Sequence, residues 1–444
     1  MSRLTRRTFL TVSGGLLGGA AAGTTVTAAE RTDRFVVDTS GLSREDVESG
    51  AFDVVHDLSA VDLAVVEGRA GDVKKVTRSF ESDVELRLGL PEMVDAAPES
   101  ATDEPGYEYQ WDKQEQHIPE VHEISRGEGT RVAIVDSGVA AGHPDLERAV
   151  NRDLSRNFTG DGYGAGGPFG GDHGTHVAGI VAADDRNEAG VVGTAPDAEI
   201  VDCRVFSAEG GASFGDILAA IVHSAEVGCD VANLSLGAYP VSRKELGSFY
   251  GKSLNRTMTY ANAAGTLLVV SAGNDGADLQ HDGNLISLPN EGAQALAVSG
   301  TGPIGFGWDA GDAEAPAYAP AFYTNYGTNA IDLAAPGGNA DEGAIGSDDV
   351  PWHLDLVYST VAEPVYDEDE ETVVDVEYGY GWKAGTSMAA PQVAGAAALV
   401  KSVDPNANAN QVESKLARTA EVPDGYDKTY YGSGFVDPLA AVRR

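Results

Sequence analysis

The run Gly385-Thr386-Ser387-Met388-Ala389-Ala390-Pro391 puts a serine at the head of an alanine-rich, helix-compatible stretch, where its hydroxyl could act as a nucleophile. A serine hydroxyl is weak at neutral pH and needs a base to take its proton. Two earlier segments offer the partners. Val135-Asp136-Ser137-Gly138 ends an apolar run, and Asp172-His173-Gly174-Thr175-His176 opens a second small-residue segment. Acid, base and nucleophile in the order Asp, His, Ser make a charge-relay set for acyl transfer. A fourth segment, Ser271-Ala272-Gly273-Asn274-Asp275, carries an amide suited to donate to an oxyanion. Each motif alone has a plainer reading: Gly-Thr-Ser as a helix cap, His-Gly-Thr-His as a capped helix start or half a metal site. Their order, spacing and flanking strands together favour chemistry.

Apolar runs at 132–135, 200–205, 231–234, 267–270 and 295–298 are each bounded by glycine or polar residues and alternate with helical patterns such as 213–227 and 386–401. Nearly continuous apolar strands separated by helices imply a parallel sheet covered on both faces, a doubly wound α/β fold. Reactive residues then belong at the carboxyl ends of strands, where Asp136 and Asn274 fall. Pro391, four residues after Ser387, has no N–H to give the Ser387 carbonyl, so the nucleophile's peptide is less tied into its helix. Upstream, the runs Phe35-Val36-Val37, Leu63-Ala64-Val65-Val66 and Val84-Glu85-Leu86 alternate with helix-like stretches near 43–48 and 72–79. That pattern predicts a separate small α/β sandwich.

A chain of 444 residues with 42% hydrophobic content can bury a large core and holds more than one domain. Its formal charge of −39 excludes nucleic acid as a partner, since phosphates would be repelled. From Gly106 onward there are 50 acids against 19 bases, a net of −31, and of the 30 basic residues in the whole chain only 9 are lysine. Such a carboxylate excess fits adaptation to high salt. The first 29 residues hold no acid, and Arg3, Arg6 and Arg7 precede a glycine-rich apolar run too short for a convincing membrane span. Thr5-Arg6-Arg7-Thr8-Phe9-Leu10 reads as a twin-arginine export signal, so the mature protein is expected outside the cell, with no stable membrane insertion.

From about Gln110 to the C-terminus the four segments resemble a subtilisin-like serine peptidase of the subtilase family, and the acidity and export signal are similar to its haloarchaeal, halolysin-type extracellular members. The resemblance implies Asp136, His173 and Ser387 as the triad and Asn274 as the oxyanion donor, with His176 structural. It implies that substrate lies as an added strand against Ser235-Leu236-Gly237, with Ala272 and Gly273 lining the primary pocket and Asp275 near its mouth. It further implies a structural calcium ion, held by Asp145 and Asn187 with carbonyls near Asp185, Ala189 and Val191, and with Gln110 as a further candidate; no cofactor serves catalysis.

The domain organisation then reads as a signal peptide over 1–28, an inhibitor-like prodomain over 29–105 and a peptidase domain over 106–444. The expected partners are protein or peptide substrates and the chain's own prodomain, with the enzyme a monomer. A catalytically silent homologue serving as a surface-binding protein is the alternative; no catalytic position is substituted. The serine-carboxyl peptidases, which share the fold, require a glutamate where His173 stands. The stretch 338–383 departs from the family pattern in length and carries Tyr366-Asp367-Glu368-Asp369-Glu370-Glu371, which reads as a solvated hairpin or loop. Cys203 and Cys229 are expected to be free and buried, because their strands should flank the Asp136 strand at about 9 to 10 Å, beyond the roughly 7 Å reach of a disulfide.

Overall fold

Alternation along the central strand shows how this sheet separates two cores. In β5 (Arg131–Asp136), Val132 and Ile134 pack on one side and Ala133 and Val135 on the other, all fully buried. The computed structural model describes residues 29–87, 106–187, 190–243, 249–308, 314–347, 349–367 and 372–443. The export signal, residues 88–105 of the expected prodomain, Ala189 and the acidic residues 368–371 lie outside the described residues.

Four strands come first, β1 (Ala29–Asp38), β2 (Phe52–Leu58), β3 (Leu63–Gly68) and β4 (Phe80–Arg87), with helices α1 (Arg44–Glu48) and α2 (Ala70–Val76). They form the expected small α/β unit, an antiparallel sheet in the order β2-β3-β1-β4. The main body follows with α3 (Trp111–Glu115), α4 (Ile118–His122), β5, β6 (Arg156–Asn157), α5 (His173–Ala182), β7 (Glu199–Arg204) and β8 (Gly211–Ser213). Next come α6 (Phe214–Glu226), β9 (Val231–Leu234), β10 (Ala238–Ser242), α7 (Phe249–Ala264), β11 (Leu267–Ser271), β12 (Leu285–Leu288), β13 (Ala295–Thr301) and β14 (Leu333–Pro336). A hairpin of β15 (Val357–Tyr366) and β16 (Val373–Lys383) leads into α8 (Thr386–Val403) and α9 (Ala409–Thr419).

The main sheet is parallel, in the order β14-β13-β11-β9-β5-β7-β6. One face packs against α5, α8 and α9; the other packs against α6 and α7. This is the doubly wound α/β architecture read from the sequence. Helix α7 was not anticipated: its apolar residues Tyr250, Leu254, Met258 and Ala261 recur at helical spacing, but Lys252, Asn255 and Arg256 dilute the signal.

The small unit joins the body through β4, which pairs antiparallel with β8 (Glu85↔Ser213, Arg87↔Gly211). Val36, Leu58, Val65 and Val84 share a core with α6. A buried polar set crosses the junction. Asp83 accepts from the Gly215 N–H at 2.9 Å and forms an ion pair with Arg34, its Oδ2 2.9 Å from Nε; Arg34 also pairs with Asp216, and His56 Nε2 lies 2.7 Å from Asp216 Oδ1. Asp83 therefore satisfies an amide in the first turn of α6, a helix whose own cap residue Ser213 makes no such bond.

The hairpin corrects the expectation of a solvated segment. Its base is interior: Val357, Tyr358, Ser359 and Thr360 are buried, and Ser359 Oγ and Thr360 Oγ1 donate to the carbonyls of His176 (2.9 Å) and Thr175 (2.8 Å) in α5. Only the outer half is exposed, as at Val374 and Tyr378.

Cys203 and Cys229 are free and buried; β7 and β9 flank β5 as expected, Cys203 in β7 and Cys229 two residues before β9. Burial pushes the Cys229 thiol up to about 12 and the Cys203 thiol well above its ordinary value. Both should be inert in the native protein. Unreduced protein is expected to yield two reactive thiols after denaturation and none before; denatured protein that yields none would show a bridge.

Candidate active site

Asp136 is the last residue of β5, His173 the first of α5, and Ser387 lies in the first turn of α8. A parallel sheet brings such strand ends and helix starts to one edge. His173 Nδ1 stands 2.8 Å from Asp136 Oδ1, which also accepts the Ser137 N–H at 2.7 Å. Both side chains are nearly sealed, at 4% and 0% exposure. An N–H at Nδ1 facing the carboxylate leaves Nε2 as the proton-accepting nitrogen. That nitrogen is buried and has no protein partner among the described residues.

Ser387 Oγ donates to the Ser235 carbonyl at 3.3 Å, and Ser235 Oγ returns a bond of 2.7 Å to the Ser387 carbonyl. Pro391 explains the second bond, because the carbonyl it cannot serve is taken by a side chain from the neighbouring strand end. The sequence revealed the missing donor but not its replacement.

Asn274 is oriented by a residue that sequence reasoning passed over. Thr386 N and Oγ1 both donate to Asn274 Oδ1 at 2.9 Å, and Thr386 Oγ1 accepts the Gly273 N–H at 3.0 Å. With its oxygen engaged, the Asn274 amide has Nδ2 as its donor. The Gly-Thr-Ser context held the clue, since a hydroxyl beside the nucleophile is well placed to bind a neighbouring loop.

The segments assigned to substrate are tied to the same peptide, Ser235 through Ser387 and Gly273 through Thr386. Leu236 is buried beside them, and Gly237 lies against the Leu288 carbonyl. Gly273 has φ +98°, and a Cβ there would meet Asn325 Nδ2 at 2.4 Å, so the position admits only glycine. Asn325, fully buried and also missed, holds this loop: its Nδ2 donates to the Ala272 carbonyl (3.0 Å) and Asp275 Oδ2 (3.1 Å), while its Oδ1 accepts from the N–H groups of Asp275 and Ala277.

His176 is wholly buried, its Nε2 facing the carbonyls of Val357 (3.2 Å) and Gly381 (3.1 Å), and burial holds its pKa well below the ordinary histidine value. It ties α5 to the hairpin. His143 is also buried; its Nε2 reaches the Gly379 carbonyl at 3.0 Å, and burial pushes its pKa down to about 4.

Of the candidate metal ligands, Asp145, Asn187 and Val191 come together. Asp145 is fully buried; its Oδ1 accepts from Asn187 Nδ2 (2.6 Å) and the Tyr380 hydroxyl (3.1 Å), and its Oδ2 from the Val191 N–H (3.0 Å). Burial pushes it up to about 6. Each of these partners is neutral, so a cation beside this carboxylate would offset its desolvation, and a half-turn of the Asn187 amide would present oxygen. The chemistry fits a hard cation. The Asp185 carboxylate pairs with Arg126 and lies 3.8 Å from His122 Nδ1, which leaves its backbone carbonyl as the oxygen it would offer. The Gln110 amide closes on the Val192 backbone, at 2.8 and 3.0 Å. Among the described residues no three His, Cys, Asp or Glu side chains cluster as a metal site.

The subtilase family model matches residues 127–434. Thermitase of Thermoactinomyces vulgaris is 30% identical over 336 residues, covering 75% of this chain and 96% of thermitase. Subtilisin Savinase of Lederbergia lenta is 32% identical over 319 residues, covering 71% and 92%. Among solved structures, a lanthipeptide protease superposes with a TM-score of 0.61 at 30% identity, over 76% of this chain and 95% of that one. The epidermin leader peptide processing serine protease of Staphylococcus aureus gives a TM-score of 0.69 at 19% identity, over 92% and 97%, a likeness of fold. The chain belongs to the subtilase family and is a subtilisin-like serine endopeptidase.

Proposed function

We propose that the protein is a secreted, salt-adapted endopeptidase that cleaves peptide bonds through an acyl-enzyme on Ser387 and matures by cutting itself. One observation carries this reading: the Asp136–His173 pair, 2.8 Å apart, keeps Nε2 unpaired at the sheet edge that also holds Ser387 and Asn274. His173 takes the Ser387 proton as Oγ attacks the scissile carbonyl. Asp136 stabilises the imidazolium, and the proton then passes to the leaving amine. The Asn274 amide and the Ser387 N–H at the start of α8 donate to the oxyanion. Water, activated by the same histidine, releases the acyl group.

The small N-terminal unit acts as the inhibitory prodomain, and its strand β4 is joined to the main body by antiparallel pairing with β8. Calcium is held by Asp145 and Asn187, where it neutralises a buried carboxylate and ties two loops together without taking part in catalysis. The twin-arginine segment directs export, and no helix among the described residues is long and apolar enough to cross a membrane. The mature enzyme works as a monomer.

Purified mature protein in molar sodium chloride is expected to release peptides from casein. Folded protein that binds casein and releases nothing would favour the silent surface-binding homologue. Salt dependence follows from the net −31 of residues 106–444. The Debye length is about 10 Å at 0.1 M and about 3 Å at 1 M, so molar salt screens most repulsion between surface carboxylates. Hydrolysis and circular dichroism are therefore expected to be lost together as salt is diluted to 0.1 M. If both persist there in the presence of a calcium chelator, salt adaptation is the wrong explanation of the acidity.

A further inference from the structure

Among the described residues, Lys113 is the one lysine with no exposed side-chain surface and three hydrogen-bonded acceptors from the main body around its ammonium. Long cationic side chains normally bury their stems and keep the charge in water. Here exposure is 0%, and Nζ donates to the Ile180 carbonyl (3.0 Å), Thr194 Oγ1 (2.8 Å) and Gln392 Oε1 (2.6 Å). Asp112 Oδ2 stands 3.4 Å away, and Gln392 Nε2 donates to that same oxygen at 2.7 Å. Gln116 Nε2 adds a bond to Gln392 Oε1 at 2.9 Å. Burial brings the lysine's pKa down to about 8, and the three acceptors around Nζ match the three donors of an ammonium.

Ile180 lies in α5 seven residues after His173, on the same helix face and about 10 Å along the axis. Its carbonyl belongs to the last turn, where a positive charge complements the helix dipole; that oxygen also accepts the Thr194 N–H at 2.9 Å, so the ammonium is its second donor. Gln392 lies in α8 five residues after Ser387, about 7.5 Å along that axis. One ammonium therefore bridges the histidine helix and the serine helix. The bridge comes from a third element, α3, whose Trp111 Nε1 donates to the Leu356 carbonyl at 2.8 Å, just before the hairpin. Apolar packing would hold these helices together at less desolvation cost, but it would not fix their axial register, because hydrophobic contact is non-directional.

We propose that Lys113 is a positioning residue for the hydrolytic reaction, fixing the axial register of the helices that carry His173 and Ser387. The proposal goes beyond the triad, and an inactive wild-type protein would defeat the peptidase reading before Lys113 is tested. The test is a comparison of wild type, Lys113→Met and Thr194→Val in molar salt, at a temperature where circular dichroism shows each fully folded. A displacement near 1 Å can cost about 10²-fold in rate. Lys113→Met is expected to lower kcat on a peptide anilide roughly 10- to 100-fold and to slow fluorophosphonate labelling of Ser387 in parallel, with KM within about twofold. Thr194→Val, which removes one acceptor of the ammonium and the hydroxyl's own bond to Gln392 Oε1 (3.2 Å), should lower kcat by about threefold, following the same split. Unchanged kcat and labelling rate in a folded Lys113→Met protein whose Tm has fallen would overturn the proposal. If Lys113→Met does not fold, Thr194→Val decides: a kcat equal to wild type overturns the proposal, and a lowered kcat at constant KM supports it.

Discussion

Ser387→Ala is expected to lower kcat for peptide hydrolysis by about 10⁶-fold, leaving only the contribution of oxyanion donors and substrate binding. The same variant should accumulate as unprocessed precursor. On the proposed reading, the segment that follows β4 is tethered to the catalytic body by the chain itself and is therefore the substrate at highest effective concentration. Intact mass of the variant, purified from protease-free cells, reads this outcome. A mature N-terminus near residues 95 to 110 in that variant would show that another peptidase does the processing.

Asn274→Leu keeps the side-chain size and removes the donor. It is expected to lower kcat by about 10²- to 10³-fold, equivalent to roughly 2.7 to 4 kcal/mol of transition-state stabilisation, with KM nearly unchanged. The variant also removes the acceptor for Thr386 N and Oγ1, so part of any loss could arise from a displaced Ser387. Thr386→Val separates the two, because it keeps the backbone N–H and loses the hydroxyl that orients Asn274. A much smaller fall in kcat is expected for it. Equal losses in the two variants would mean that Asn274 acts by holding the loop rather than by binding the oxyanion.

What the sequence made legible follows from how local the signals are. The strand ending in Asp136, the helix opening with His173 and the helix holding Ser387 each carry their own apolar pattern or small-residue signature, so the sheet edge could be drawn before any contact was known. Thr386 and Asn325 were not legible as orienting residues, because each acts through a hydrogen bond to a segment 112 and 50 residues away. The same holds for Ser235, whose hydroxyl serves a carbonyl 152 residues distant. The hairpin was misread for a different reason. The polar residues of its outer half and the acidic run in the sequence between its strands dominate the composition, whereas its base is buried by contact with α5, and alternation along β15 cannot reveal which helix it will meet. The side-chain pairing of Asp185 was likewise illegible, since the guanidinium that holds its carboxylate belongs to Arg126, 59 residues earlier. Lys113 gave no signal at all, since a lysine among polar residues reads as exposed until three acceptors are seen around it.

Labelling by a fluorophosphonate tests the central claim most directly, that His173, held by Asp136, activates Ser387. Peptide mapping of wild-type protein labelled in molar salt should place a single stoichiometric adduct on the peptide containing Ser387, and His173→Ala, folded by circular dichroism, should label at least about 10³-fold more slowly. An adduct on another residue, or labelling of His173→Ala at the wild-type rate, would contradict the account.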